Sequence, residues 1–346
     1  MMETLFGLDY PTIWFMVVGA LFSGYAILDG FDFGAGAWHL FFKKEQSRRI
    51  GLNAIGPVWD GNEVWLVIGG GALFAGFPVM YAAFLSALYI PFMLFLFFLI
   101  LRAISIEFRS KEDMLWWRKT WDYVYGISSI MLAFLLGVVL GNVLQGIQIG
   151  ADYQYEGAGF FEFLNPFAIM VGSTTLSLFM LHGAIYLLLK TEHRLYAKLT
   201  ILVKRVIVFF LIIFSVTTMY ALEFIPHLYN DIKANLWLAI FPLSGFISIA
   251  VLPRLIARKR FRYAFLFSTL TISFMLMTVA VELYPNLLLS SIESRYNIDI
   301  YNAASSIKTL KIMLTMVAVG GPLVLAYTLF VYKVFSGRVQ LDETSY

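Results

Sequence analysis

The 346-residue sequence contains no cysteine, only four histidines, and few charged residues, 14% in all. Without thiols there is no disulfide framework and no thiolate ligand, and the scattered histidines form no Cys/His zinc cluster. The shortage of charge is matched by an apolar excess: 60% of residues are hydrophobic and the mean hydropathy is +0.79. Soluble domains hold roughly 45–50% apolar residues. The composition is that of an integral membrane protein, with lipid rather than nucleic acid as its surroundings.

The N-terminal METLFGLDYPTIWF lacks the basic region and small-residue cleavage site of a signal peptide, so the first span is expected to stay in the mature protein. A hydrocarbon core of about 30 Å needs roughly 20 apolar residues of helix. About nine spans are expected, near residues 11–30, 54–76, 78–101, 123–145, 164–189, 203–222, 236–256, 263–284 and 311–334. Little more than GFPVM separates the second from the third, which predicts a tight helical hairpin. The spacing permits one membrane domain over 1–346, with helices one to four across 11–145, five to eight across 164–284, and a ninth at 311–334.

Basic residues fix the orientation. Lys43, Lys44, Arg48 and Arg49 fall in the first loop, and Arg109, Lys111, Arg118 and Lys119 in the third. The clusters within 190–205, 254–262 and 333–338 share that side, leaving Lys233, Arg295, Lys308 and Lys311 opposite. By the positive-inside rule the N-terminus is outside and the C-terminus cytoplasmic. The glycines at 69–71 and in GAGAW at 34–38 read as close helix packing, since no strand precedes them to make a phosphate loop.

Ionisable groups within spans cost about 2.5–3.5 kcal/mol each, so their positions carry functional signal. Asp29 and Asp32 in DGFDFG are three apart and share a face if the first helix continues that far. Asp60 and Glu63 repeat the spacing in the second span, with Asn62 between them and Trp59 on the side of Glu63. Arg102 ends the third span, followed by Glu107, Arg109 and Lys111. These groups gather in the inner half of the membrane, an arrangement that suits a proton route open to the cytoplasm. The same acids suit two other readings: pairing with Arg102 or a neighbouring subunit to fix helix register, or binding the coupling ion of a secondary transporter. His182 is the one histidine deep in a span, and a lone intramembrane histidine more often joins helices by hydrogen bonds than ligates haem. No metal or flavin site stands out, so redox chemistry would come from a partner.

Several blocks resemble subunit II of cytochrome bd-type quinol oxidases: DGFDFGAG at 29–36, RRIGLNAIGPVWDGNEVWL at 48–66, GGALFAGFPVMYAA at 70–83, EFRSK at 107–111, WRKTWDY at 117–123, GNVLQG at 141–146 and LNPF at 164–167. The last hundred residues resemble the family mainly in hydropathy. The resemblance implies an all-α polytopic fold of nine transmembrane helices, two four-helix bundles plus a peripheral helix, in the bacterial cytoplasmic membrane. It implies a haem-bearing subunit I as partner, which binds haems b and d, and in some members a small accessory transmembrane subunit. The implied complex oxidises quinol near the outer face and reduces dioxygen to water with cytoplasmic protons, generating a proton motive force without pumping. Some members also bind a structural quinone in this subunit. Position by position, Asp60 resembles the family's buried acid on the proton route, and Lys111 and Glu107 its cytoplasmic entrance. Glu107 stands where aspartate also occurs. Trp65 resembles a tryptophan beside a lateral oxygen entrance, and Arg102 an arginine ending the third helix. Glu63 departs from members with glutamine there.

Overall fold

The computed structural model describes residues 3–341. In lipid every backbone polar group must be satisfied within the protein, and this chain does so almost entirely with helices. Helix α1 (Tyr10–His39) opens where the Asp9 carboxylate accepts from the Thr12 backbone N–H at 2.8 Å, with Pro11 in its first turn. It runs for 30 residues, or about 45 Å, and so passes well beyond the boundary expected at residue 30. Helix continues through DGFDFGAGAWH because its acids find partners inside the protein and its glycines admit neighbouring backbones. Asp29 and Asp32 consequently lie within α1, on one face.

The second and third spans also differ from expectation. A separate helix, α2 (Glu45–Ile55), precedes α3 (Trp59–Gly76), so the second span begins at 59 and not at 54. Gly56 and Pro57 divide the two, proline having no N–H to continue a helix. The tight hairpin is replaced by α4 (Pro78–Ala87), bent by 119° from α3 at the non-helical Phe77. Pro78 starts the new helix where a missing N–H costs nothing. The third span, α5 (Tyr89–Phe108), therefore begins eleven residues later than expected.

The remaining helices are α6 (Leu115–Gln145), α7 (Pro166–Lys190), α8 (His193–Phe224), the short α9 (Asn230–Ala234), α10 (Ile240–Ala257), α11 (Phe261–Leu283) and α12 (Ile307–Val334). Among the described residues eight helices are individually long and apolar enough to cross a membrane, and the bent α3–α4 pair makes a ninth candidate span. Two small antiparallel hairpins, β1 (Thr4–Leu5) with β2 (Leu8–Asp9) and β3 (Asn286–Leu288) with β4 (Ile298–Asp299), lie at the end opposite the basic loops.

Helix α7 is central, packing on α1, α6, α8 and α11, while α3 packs on α1, α5 on α6 and α10 on α11. The approach of α1 to α7 depends on glycine: a Cβ on Gly34 would lie 1.8 Å from the Phe179 carbonyl oxygen, and one on Gly183 2.5 Å from the Ala35 nitrogen. Gly70 and Gly71, expected to serve packing as well, have open space around them. Helix α12 lies against α1 and α3 with most of its surface exposed. It is held at one end by Trp14, whose Nε1 donates to the Leu310 carbonyl at 3.0 Å. Beyond its other end the Val339 N–H donates to the Lys190 carbonyl at 2.9 Å.

Candidate functional site

Three helices bring ionisable side chains together in the interior. From α5, Arg102 donates through Nη2 to Asp29 Oδ1 at 2.6 Å and through Nη1 to Asp29 Oδ2 at 3.1 Å. Its guanidinium lies 4.0 Å from Asp32 Oδ2 and 3.9 Å from Glu63 Oε2, and its Cζ sits 4.5 Å from the centre of the Phe33 ring. Arg102, Asp29 and Asp32 are wholly buried, whereas the Glu63 side chain is 21% exposed. Asn62 reaches the same group from α3. Its Nδ2 donates to Asp32 Oδ2 at 2.7 Å and to the Leu28 carbonyl at 3.2 Å, while its Oδ1 accepts from the Tyr332 hydroxyl at 2.8 Å.

Three carboxyl groups thus surround one guanidinium. Asp32 Oδ1 and Glu63 Oε2 are enclosed without a hydrogen-bond partner, and Tyr25 lies one turn before Asp29 on α1. The arrangement goes beyond a neutral ion pair, since acids outnumber the cation that faces them.

A second polar group joins the basic ends of α1, α2, α5 and α6. Asp122 accepts from His39 Nε2, from Arg48 Nη1 at 2.8 Å and from Arg109 Nε at 2.6 Å. Arg109 also donates to both Glu45 carboxylate oxygens, at 3.0 and 2.9 Å. Arginine supplies this bracing because its planar fork can bind two acceptors at once.

The other candidates take different positions. Asp60, expected as a buried acid, is exposed in the first turn of α3, because the chain breaks at Pro57 and the new helix starts with that side chain facing outward. Trp59 is buried beside it, and Trp65 is half-buried with its ring on Gly24 of α1. Glu107 is half-buried near the end of α5, and Lys111 is exposed just beyond it. His182 uses both ring nitrogens, Nδ1 with Ser268 Oγ at 2.7 Å and Nε2 with the Ile27 carbonyl at 3.1 Å. It joins α7 to α1 and α11, with no nitrogen left for an axial bond.

Sequence reasoning missed Tyr332, which lies 270 residues from Asn62 and carries no local signal. It also passed over Asp122 and His39. An acid within the basic WRKTWDY block was the available clue, since a lone carboxylate among cations is poised to pair with them.

The model of the family "Cytochrome bd terminal oxidase subunit II" matches residues 10–335. "Cytochrome bd-I ubiquinol oxidase subunit 2" of Escherichia coli K12 is 32% identical over 370 residues, covering 97% of each chain. "Cytochrome bd ubiquinol oxidase subunit 2" of Bacillus subtilis 168 is 32% identical over 335 residues, covering 96% of this chain and 97% of the relative. In fold the chain is similar to a chain of the solved bd oxidase from Geobacillus thermodenitrificans, with a TM-score of 0.77, 19% identity, and coverage of 94% of this chain and 98% of that one. The chain belongs to the cytochrome bd terminal oxidase subunit II family.

Proposed function

We propose that this chain serves its oxidase as the haem-free subunit that carries protons from the basic face of the membrane toward the oxygen-reducing centre. The observation that supports this is the excess of acid in the inner group: Asp29, Asp32 and Glu63 around Arg102, with Asp32 Oδ1 and Glu63 Oε2 enclosed and accepting no hydrogen bond. One guanidinium offsets one carboxylate. Holding further unneutralised carboxylates there would cost several kcal/mol each, so such a site takes up protons.

The path to the surface runs along α3. Asp60 and Glu63 are three residues apart on one helix face, the first exposed and the second partly so. In this reading the exposed face meets a haem-bearing subunit I, Glu107 and Lys111 form the cytoplasmic entrance, and Trp65 flanks an oxygen entrance further along α3. Haems b and d on that partner supply the electron transfer and oxygen binding, with quinol and dioxygen as substrates of the complex. The Arg102–Asp29 pair holds α5 to α1 and gives the route a fixed wall. Family membership favours this role over a secondary transporter built on the same acids.

The test uses the purified complex with Asp60→Asn and Glu63→Gln, which keep side-chain shape while removing the titrating group. Quinol-driven oxygen uptake per haem is expected to fall by roughly 100-fold in Asp60→Asn, the lower end of what a positioned proton-transfer group contributes, and by less in Glu63→Gln, since the resemblance gives some members glutamine at that position. Full turnover at normal haem content in both variants would remove the acids from the route. A stable preparation without haem or a second large subunit would sink the oxidase role itself.

A further inference from the structure

We infer that Tyr332 is a positioning residue: its hydroxyl fixes the Asn62 amide in the orientation that donates to Asp32, and so sets how Asp32 takes up a proton. The inference rests on the proton-carrying reading of the buried group and adds to it a control element on the peripheral helix α12.

The chemistry of the donors determines the orientation. The Asn62 nitrogen faces Asp32 Oδ2 at 2.7 Å and the Leu28 backbone carbonyl at 3.2 Å. A backbone carbonyl can only accept, so the amide nitrogen and not its oxygen belongs on that side. The Asn62 Oδ1 can likewise only accept, so the Tyr332 hydroxyl, 2.8 Å away, is the donor. Both amide hydrogens and one lone pair of Asn62 are then in use. On Asp32, Oδ2 takes the Asn62 hydrogen and lies 4.0 Å from Arg102, whose guanidinium also faces Asp29 and Glu63, while Oδ1 is enclosed with no hydrogen-bond partner, which makes Oδ1 the atom that receives a proton.

Reversing the amide would turn its oxygen toward both Asp32 and the Leu28 carbonyl. That arrangement requires a protonated Asp32 as donor. The Leu28 carbonyl opposes the reversal outright, and Tyr332 adds to it, because its hydroxyl would then accept from the amide while its own hydrogen lost the Asn62 oxygen; together they favour the arrangement in which Asp32 is ionised. The ring of Tyr332 meets Phe31 edge-on at 6.3 Å, a contact that phenylalanine at the same position would keep. Helix α12 has its own anchors, at Leu310 and beyond its other end at Val339, so the hydroxyl is free to serve the site rather than hold the helix in place.

The experiment is infrared difference spectroscopy of the purified oxidase complex across a pH series, with Asp32→Asn used to assign the protonated-carboxyl band. In Tyr332→Phe the Asp32 band is expected to persist to a pH about one unit higher, the worth of part of a hydrogen bond to an ionised group. Haem content should be unchanged. Asn62→Leu should give a displacement of the same sign, and the double variant should add little to either, because both substitutions break one chain of contacts. A band midpoint in Tyr332→Phe equal to that of the parent would overturn the inference, as would fully additive displacements or the absence of any band assignable to Asp32. The proton-carrying reading fails separately, through full turnover in Asp60→Asn and Glu63→Gln, a measurement that does not involve this band.

Discussion

Arg102 and Asp29, 73 residues apart in sequence and both sealed from solvent, meet through two parallel hydrogen bonds of 2.6 and 3.1 Å. Removing one partner of a buried pair leaves an uncompensated charge and costs about 3–5 kcal/mol. Asp32 and Glu63 stand within 4.0 Å of the same guanidinium and soften the loss of Asp29, so the cost for Asp29→Ala should lie near the lower end. Thermal melting of the complex, followed through haem loss, checks this. Arg102→Lys should not restore stability, because an ammonium cannot bind both carboxylate oxygens in one plane. A lysine variant as stable as the parent would show that charge alone, and not the fork, holds α5 to α1.

Glu63 offers a contrast. Its carboxylate lies 3.9 Å from Arg102 and its side chain is 21% exposed, so the pairing contributes less than about 1 kcal/mol. Glu63→Gln should therefore leave the melting temperature within a few degrees of the parent while slowing oxygen uptake. Equal losses in both measurements would assign Glu63 to structure and not to proton movement.

The difference between these two acids marks how far the sequence could be read. Hydropathy located the spans because desolvation is a property of each residue summed along the chain, and the three-residue spacing of Asp29 with Asp32 and of Asp60 with Glu63 placed each pair on a helix face. Boundaries were harder to read. The run from 54 to 101 is apolar outside the Asp60–Glu63 stretch, so nothing in hydropathy registers that the helix breaks at Pro57, that Pro78 starts a new one or that the chain turns by 119° after Gly76. The break at Pro57 is also what leaves Asp60 exposed. Pairings across helices, such as Arg102 with Asp29 or Tyr332 with Asn62, depend on tertiary packing and leave no trace in local spacing.

Asp122 ties His39, Arg48 and Arg109 together at the basic ends of four helices. Substituting asparagine removes the charge that two buried or half-buried arginines face, although Glu45 continues to bind Arg109. Hydrogen bonds to charged groups contribute about 1.5–3 kcal/mol, so Asp122→Asn should lower the stability of the complex by roughly that amount. Turnover per haem should stay near the parent value, since this network lies outside the proposed route. A drop in turnover per haem with unchanged melting would place Asp122 on the route instead.

The α1–α7 contact gives the sharpest steric prediction. At Gly34 an added methyl group would sit 1.8 Å from the Phe179 carbonyl oxygen, and at Gly183 2.5 Å from the Ala35 nitrogen. Both obstacles are backbone atoms, so no rotamer change relieves them and the helices themselves must separate. Separation would also pull apart the hydrogen bond between His182 and the Ile27 carbonyl. Overpacking of a well-filled interior costs about 1–3 kcal/mol and more where backbone must move. Gly34→Ala and Gly183→Ala should each reduce the yield of haem-containing complex severely, whereas Gly19→Ala on the same α1, with nothing within 4 Å of the added atom, should leave it unchanged. Membrane yield and haem absorbance of the three variants, measured side by side, make the comparison. Normal assembly of Gly34→Ala would mean that α1 and α7 do not approach as closely as the glycines allow.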